Sequence, residues 1–423
     1  NDDKLELFGD IHMTENGNVL ECDTLYYFSD EEEHIISFGE VNFSNQDGTL
    51  TSDSLYYSVS NDSLYAYGGA YLKKLQSDIK AETINLIKSD GYFGYSFIAK
   101  GDVVINDNDI QINGSEIIYI DSTQHMSILK DAHIINQNKE LFGENIFIQF
   151  KDSSINEIVI DKDPIVYNKI EARISEDVIE EHFTDVMLGE SMIIKYSDNK
   201  LEEIKVIGMA SSLYHVINNM LLEGTNEVSG DTILFSFIDE ELIRIMVQGG
   251  GAGLFTPEFN NSSIDSVIYY FAEKIDYDIL KNVNHFYNQG SIQYQDTELN
   301  SEYIKVNWNT NKLESHVVNN IKPIVRTDLK SSPMRGDTIY YDLISEIGVI
   351  NKGKTELNNA FYHGDEILSD NNQNIYSFDG IYTSCDLEYP HYYFLSKKMK
   401  IIPDKHIVAK PITLHIRDFS IIG

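Results

Sequence analysis

Apolar and polar positions alternate along most of this chain in short runs, with Ile, Val, Leu, Tyr and Phe in the apolar slots. Such runs mark β-strands, whose side chains point to opposite faces in turn. Apolar spacing of helical period is nearly absent. The best helix candidate is the short stretch Ser175–Met187. Turn signals fall between runs at Asn16-Gly17, Asp47-Gly48, Ser89-Asp90-Gly91 and Asn113-Gly114. Each can supply the positive φ of a tight turn.

Above this alternation lies a repeat. It reads small residue, usually an acid, any residue, an aliphatic, any residue, and an aromatic or aliphatic. Eleven copies start at Cys22, Ser52, Ala81, Gly114, Gly143, Gly189, Gly230, Ala272, Ser301, Gly336 and Gly364. Their spacing is about 30 residues, widening to about 40 or more between Gly143 and Ala272, a period that signals stacked arrays. A second pattern interleaves with it at Gly9-Asp10-Ile11, Gly39-Glu40-Val41, Gly69-Ala70-Tyr71, Gly101-Asp102-Val103 and Asp131-Ala132-His133. It recurs more loosely at Gly208-Met209-Ala210 and Gly290-Ser291-Ile292.

Strict alternation puts Asp53, Leu55 and Tyr57 on one face of a strand and Ser52, Ser54 and Tyr56 on the other. Across the copies the first face carries Leu25 and Tyr27, Leu55 and Tyr57, Ile84 and Leu86, Ile117 and Tyr119, Ile146 and Ile148. It continues with Met192 and Ile194, Ile233 and Phe235, Ile275 and Tyr277, Ile304 and Val306, and Ile339 and Tyr341. Each strand thus has a dry side and a wet side, and stacked repeats bury one continuous apolar face. The pattern serves a packed sandwich core and an open apolar groove equally well.

Composition narrows the function classes. The 423 residues carry a formal net charge of −36. A surface this acidic repels nucleic acid and anionic membranes, so an anionic lipid would have to be held by its apolar part. No apolar run approaches the ~20 residues of a membrane-spanning helix. The acids recur at one slot of the repeat, which points to an architectural role at strand starts rather than to the paired carboxylates of a glycosidase. The 12 His residues have no HxH or HxxxH grouping, so no metal site and no cofactor is expected. No Gly-x-Ser-x-Gly elbow is present, and no phosphate-binding loop is expected, although the letters Gly353-Lys354-Thr355 occur. The run Gly249–Gly253 reads as the end of a strand, in a loop or a bulge. Two cysteines, Cys22 and Cys385, are too few for a disulfide scaffold. Cys22 fills the small-residue slot of its repeat, and Cys385 has no obvious local partner.

The interleaved patterns resemble the OstA family of lipopolysaccharide-transport proteins, over roughly Leu5 to Leu368. A later series is more specific. It comprises Ser332-Pro333-Met334-Arg335-Gly336-Asp337, Ile347–Glu356, Tyr362-His363-Gly364, Gly380–Asp386, Pro390–Tyr393, Lys400–Pro403 and Val408–Pro411. Its order is similar to the end of the jellyroll in the family's outer-membrane assembly member, just before the barrel. The segment Asp161–Thr184 fits the pattern badly and marks an insertion or a joint.

The resemblance implies an all-β fold, an elongated open β-jellyroll (β-taco) of stacked repeats. Residues 1–160 would be repeats like those of the family's periplasmic bridge protein. Residues 161–264 would be further β-repeats, with an insertion near 161–184. Residues 265–423 would be an assembly-protein-like jellyroll leading to a missing C-terminal barrel. With the abrupt start at Asn1-Asp2-Asp3-Lys4, the chain reads as a trimmed or mature fragment.

The implied function is non-enzymatic conduction of lipopolysaccharide on the periplasmic side of the outer membrane of a Gram-negative-type bacterium. Its acyl chains would lie on the twenty apolar positions named above, held by burial worth ~25 cal/mol per Å². The implied partners are lipopolysaccharide, a bridge protein pairing with the edge strand around Leu5–Met13, and a C-terminal barrel with its plug lipoprotein. The family's cysteine in the segment of Cys385 is oxidised in a bridge to the barrel. Cys385 is thus the interdomain disulfide candidate, and no bond to Cys22 is expected. The rival class is a right-handed β-helix, acting as a polysaccharide lyase or a structural filament, with a closed cross-section and even coils.

Overall fold

The computed structural model describes residues 4–15, 17–29, 32–46, 48–74, 77–89, 94–152, 154–175, 181–258, 262, 264–327, 332–357, 360–371, 374–387, 389–402, 406–417 and 419–422. These form thirty β-strands, numbered β1 to β30 along the chain, and one 3-10 turn at Asp121–Thr123. The fold is all-β. The chain divides into two compact units. The first comprises Asn1–Ile170, Thr184–Gly208 and Phe237–Glu240, and the second Glu171–Phe183, Met209–Ser236 and Glu241–Gly423.

Within each unit, neighbouring strands pair antiparallel. In the first, β1 (Lys4–Glu15) pairs with β2 (Asn18–Phe28), β2 with β3 (His34–Asn45), and β3 with β4 (Gly48–Ser58). In the second, β17 (Glu241–Pro257), β18 (Ile268–Asp278), β19 (Val283–Tyr294) and β20 (Thr297–Asn307) continue the same pattern. This corrects the rival expectation: a right-handed β-helix stacks its coils through parallel pairing, and these ladders are antiparallel.

The helix expectation at Ser175–Met187 is also corrected where it can be seen. Residues 176–180 lie outside the described residues, but Glu181–Leu188 is strand β13, paired with β15 (Lys200–Asn218). The segment offers β-branched Thr184 and Val186 and a ready sheet edge, and pairing outweighs its weak helical spacing. Asn113-Gly114 is no turn. It sits inside β8 (Ile110–Ile120), because a Cβ on Gly114 would come within 2.7 Å of Ile128 Cγ2. The run Gly249–Gly253 lies inside β17, not at its end, and contains the bulge between Gln248 and Gly251.

The two interleaved patterns have a single structural cause. The second pattern marks β-bulges. Gly39 and Glu40 both take positive φ (80° and 43°), and the pairing of β3 with β2 and β4 slips between Phe38 and Val41. The same slip recurs at Gly9-Asp10, Gly101-Asp102 and Lys130-Asp131. Three copies fall earlier than the repeat suggested, the first being Lys130-Asp131 in β9 (His125–Asn136), where the repeat has Asp131-Ala132. The bulge in β5 (Ser63–Lys73) is Gly68-Gly69, not Gly69-Ala70, and the one in β19 is Asn288-Gln289, not Gly290-Ser291. The small–acid pair of the first pattern lies opposite, in mid-strand rather than at a strand start. Cβ atoms built on Gly39, Gly68, Gly101, Gly208 and Gly249 would strike Asp23, Asp53, Glu82, Glu190 and Asp231 respectively. Glycine and acid thus fill one notch from two strands.

At this notch strict alternation fails. Cys22, Ser52 and Ala81 are buried, yet so are Leu25, Leu55 and Ile84 three residues on, while Asp23, Asp53 and Glu82 face outward. The strand turns two consecutive residues out, so Asp53 shares no face with Leu55, against the alternation read from sequence. A bulge bends its strand, and the phase change keeps apolar side chains inside on both sides of the bend. The small residue lies on the crowded concave side. Cβ atoms on Gly189 and Gly230 would lie 2.6 Å from Val206 and Val247 Cγ1.

The bend divides each sheet into two limbs. On one side of β10 (Lys139–Lys151), Lys139–Phe142 pair with β12 (Ile165–Ala172), while Asn145–Lys151 pair with β11 (Ser154–Asp161). In the second unit β20 does the same, giving Glu298–Asn300 to β22 (Ile324–Arg326) and Ile304–Asn307 to β21 (Lys312–His316).

Candidate lipid cleft

The bends determine where the sequence-selected apolar residues lie. Leu25, Leu55, Ile84, Ile117, Ile146, Met192, Ile233, Ile275, Ile304 and Ile339 are buried close to the bend. Ile148, Ile194, Phe235, Val306 and Tyr119 are buried further along the strand. Only Tyr27, Tyr57, Leu86, Tyr277 and Tyr341 are half-exposed. The inner face is therefore closed, well-packed core near the bend and opens where the limbs end.

At that opening the tyrosine of the repeat places its ring inside and its hydroxyl on the rim. Tyr57 donates to Asp62 Oδ1 at 3.2 Å, Tyr277 to Asn282 Oδ1 at 2.7 Å, and Tyr27 to Glu33. Burial, with Asp62 beside it, pushes the Tyr57 hydroxyl above its usual pKa. For Tyr27 the bond to Glu33 is the main cause of the same shift. These hydroxyls remain neutral donors, and each ring keeps one apolar and one wet end.

In the first unit the limbs enclose a cleft of about 440 Å³, within the range of small-ligand sites. Phe43, Leu50 and Leu72 line it from one limb and Tyr57, Leu64 and Leu86 from the other. Sequence reasoning found Tyr57 and Leu86 and missed the rest. The signal was present in the bulged strands, where apolar residues lie three beyond the bulge (Phe43, Leu72) or four before it (Leu64). The rim is charged: Lys88 pairs with Asp62 at 2.6 Å, and Lys74 Nζ stands 3.4 Å from the centre of the Tyr95 ring.

The second unit has a cleft of about 420 Å³ of different character, lined by aromatic and amide side chains. The second unit also has a hollow of about 570 Å³, where Leu313, Tyr341, Ile347 and Val349 lie beside Lys305, Lys312, Glu314 and Asp342, and one of about 520 Å³ lined by Phe394, Ala409, Pro411, Ile412, Leu414 and Ile421 with Lys410.

Cys22 and Cys385 are free thiols. Cys22 fills the small slot of the first bend, where burial pushes its thiol up. Cys385 does have a local neighbour, contrary to the sequence expectation: its Sγ lies 3.6 Å from His391 Nδ1, across the loop after β27 (Ile375–Thr383). Among the described residues no group of three or more His, Cys, Asp or Glu is placed to hold a metal, and no helix is long and apolar enough to cross a membrane.

These features define a class: an all-β protein of antiparallel sheets, bent by repeated bulges, with clefts between paired limbs. No family model and no curated protein matches the chain. Among solved structures it is similar to LptH from Pseudomonas aeruginosa, described as the LptA homologous periplasmic component of the conserved lipopolysaccharide transport device. The similarity has 12% identity and a TM-score of 0.24, over 32% of this chain and 92% of that one. A likeness of this size carries no argument about fold or function.

Proposed function

We propose that the chain is a non-enzymatic lipid conduit. It receives the acyl chains of lipopolysaccharide between the limbs of its bent sheets and passes the lipid towards an outer-membrane barrel. The observation that carries this is the first unit's cleft: leucine and aromatic walls from two limbs, an open mouth and a charged rim suit an amphiphile whose tails enter and whose head stays wet. The sequence resemblance to lipopolysaccharide-transport proteins supports the same ligand. β1 supports the partner. Among the described residues it pairs with β2 alone, and Leu5, Leu7 and Phe8 on it are exposed, so its other edge can accept a strand from a bridge protein. The barrel, its plug lipoprotein and the bond from Cys385 belong to this proposal on the resemblance alone.

Photo-crosslinkers at Leu64 and Leu86 test the cleft. Both should capture lipopolysaccharide, while one at Tyr67, on the outer face, should not. Equal capture at all three positions would refute a ligand held between the limbs. Ile84 and Ile117, closed in at the bend, should capture far less than Leu64.

A further inference from the structure

We propose that the cleft of the second unit is a binding site for a neutral saccharide. Its walls carry Tyr270, Tyr277 and Trp308 beside Asn226, Asn282 and Asn284. Val216, Ile264 and Ile268 also line it, but its six asparagines set it apart from the leucine-lined cleft of the first unit. Each aromatic side chain is tied to one amide. Tyr270 donates to Asn226 Oδ1 at 2.9 Å, Tyr277 to Asn282 Oδ1 at 2.7 Å, and Trp308 Nε1 to Asn284 Oδ1 at 3.2 Å. Phe255 stands opposite Trp308, with ring centres 6.4 Å apart. The bonds hold ring and amide in fixed relation, and an amide with two donors and an acceptor of two lone pairs keeps capacity for more.

That pairing suits a sugar. A pyranose presents C–H faces that pack on aromatic rings and hydroxyls that both donate and accept, as amides do. An acyl chain in the same place would strip water from these polar groups and return no hydrogen bond. Burial pushes the hydroxyls of Tyr270 and Tyr277 up, the latter to about 12, so both stay protonated. Charge selects a neutral ligand. Among the described lining residues Glu223 alone is charged, and the chain carries −36; a phosphate or uronate would meet repulsion with no cation in the wall. Asn226 is only 7% exposed, an investment in a buried amide that a plain hydrophobic core does not require. The inference is independent of the lipid reading and reassigns Tyr277, which the repeat alone places with the lipid-groove positions.

Trp308 is the only tryptophan in the chain, so its emission reports on this cleft directly. The intact chain is titrated with glucose, galactose, mannose and their disaccharides, with glucuronate and myristate as comparison ligands. A saturable change in Trp308 emission with at least one neutral sugar, weaker or absent with glucuronate, is expected. Tyr277→Phe, which removes one hydroxyl and keeps the ring, should weaken that affinity several-fold, and Asn226→Leu by roughly tenfold or more. Circular dichroism confirms that each variant keeps its sheets; if Asn226→Leu does not fold, Tyr277→Phe decides. No saturable response to any neutral sugar well above the millimolar range overturns the proposal. So does sugar binding unchanged by Tyr277→Phe, or a response to myristate alone, which would make the cleft an acyl site.

Discussion

The notch shared by glycine and acid makes a sharp prediction at Gly101. This residue lies in β7 (Tyr95–Asp107) at φ +83°, where an L side chain costs ~1–2 kcal/mol. A Cβ there would also lie 2.5 Å from Glu82 Cγ and 2.7 Å from Glu82 Cβ on β6 (Ser77–Lys88). Because Glu82 Cβ is anchored to its strand, rotating the side chain does not relieve the contact. The strands must part, at an overpacking cost of ~1–3 kcal/mol. Gly101→Ala should therefore destabilise the first unit by about 2–5 kcal/mol. Gly69→Ala is the control: φ is +57° and nothing lies within 4 Å of the new Cβ, so only the backbone cost of ~1–2 kcal/mol applies. Glu82→Gly combined with Gly101→Ala should recover the overpacking part. Hydrogen exchange of the β6 and β7 amides in the whole chain gives the opening free energy of this region. If Gly101→Ala is no worse than Gly69→Ala, or Glu82→Gly recovers nothing, the notch does not hold the bend and the repeat needs another explanation.

Three further outcomes are expected. Cys385 should react with a maleimide much faster than Cys22, since Cys22 is buried at the first bend with its thiol pushed up by burial; equal rates measured by mass mapping would contradict the packing described there. The Glu140 carboxyl is held below its usual range by its bond to Lys169 (2.7 Å), with His133 also beside it. Its contribution is therefore complete above the usual carboxylate range and is lost as pH falls through the lowered value. In acid titrations of the unfolding midpoint, Glu140→Gln should lie below the parent at neutral pH and converge with it in acid; a constant gap would sink the linkage. Leu7→Asp, on the exposed face of β1, should leave circular dichroism unchanged and abolish capture of a bridge protein in a pull-down; undiminished capture would exclude this edge as the docking site.

Strand content and the spacing of the repeat were legible in the amino-acid sequence, because a strand's two faces impose a period of two on every residue. Leu55, Ile84, Ile117, Ile146 and Ile304 could be selected as inward on that basis alone. The acid slot was recognised as architectural, and its recurrence at one position was sufficient for that. Its purpose was not legible. Asp23 meets Gly39 and Glu82 meets Gly101 only once neighbouring strands are in register, and a one-residue slip there changes which face each residue occupies. For the same reason Asp53 was placed on the wrong face, and three copies of the second pattern begin one or two residues after the start of the bulge they mark.

The division between closed core and open cleft was likewise outside the reach of periodicity. Leu25 and Leu86 occupy the same apolar face, but one is enclosed at a bend and the other borders a mouth, a difference set by distance from the fold of the sheet. The amide–aromatic cleft is more distant still from local pattern, since Asn226, Tyr270, Asn284 and Trp308 come from four segments that meet only in the folded unit. Local sequence dictates which way a side chain points from its own strand. Which other strand it faces, and whether water lies between them, is decided by pairing and bending over the whole sheet.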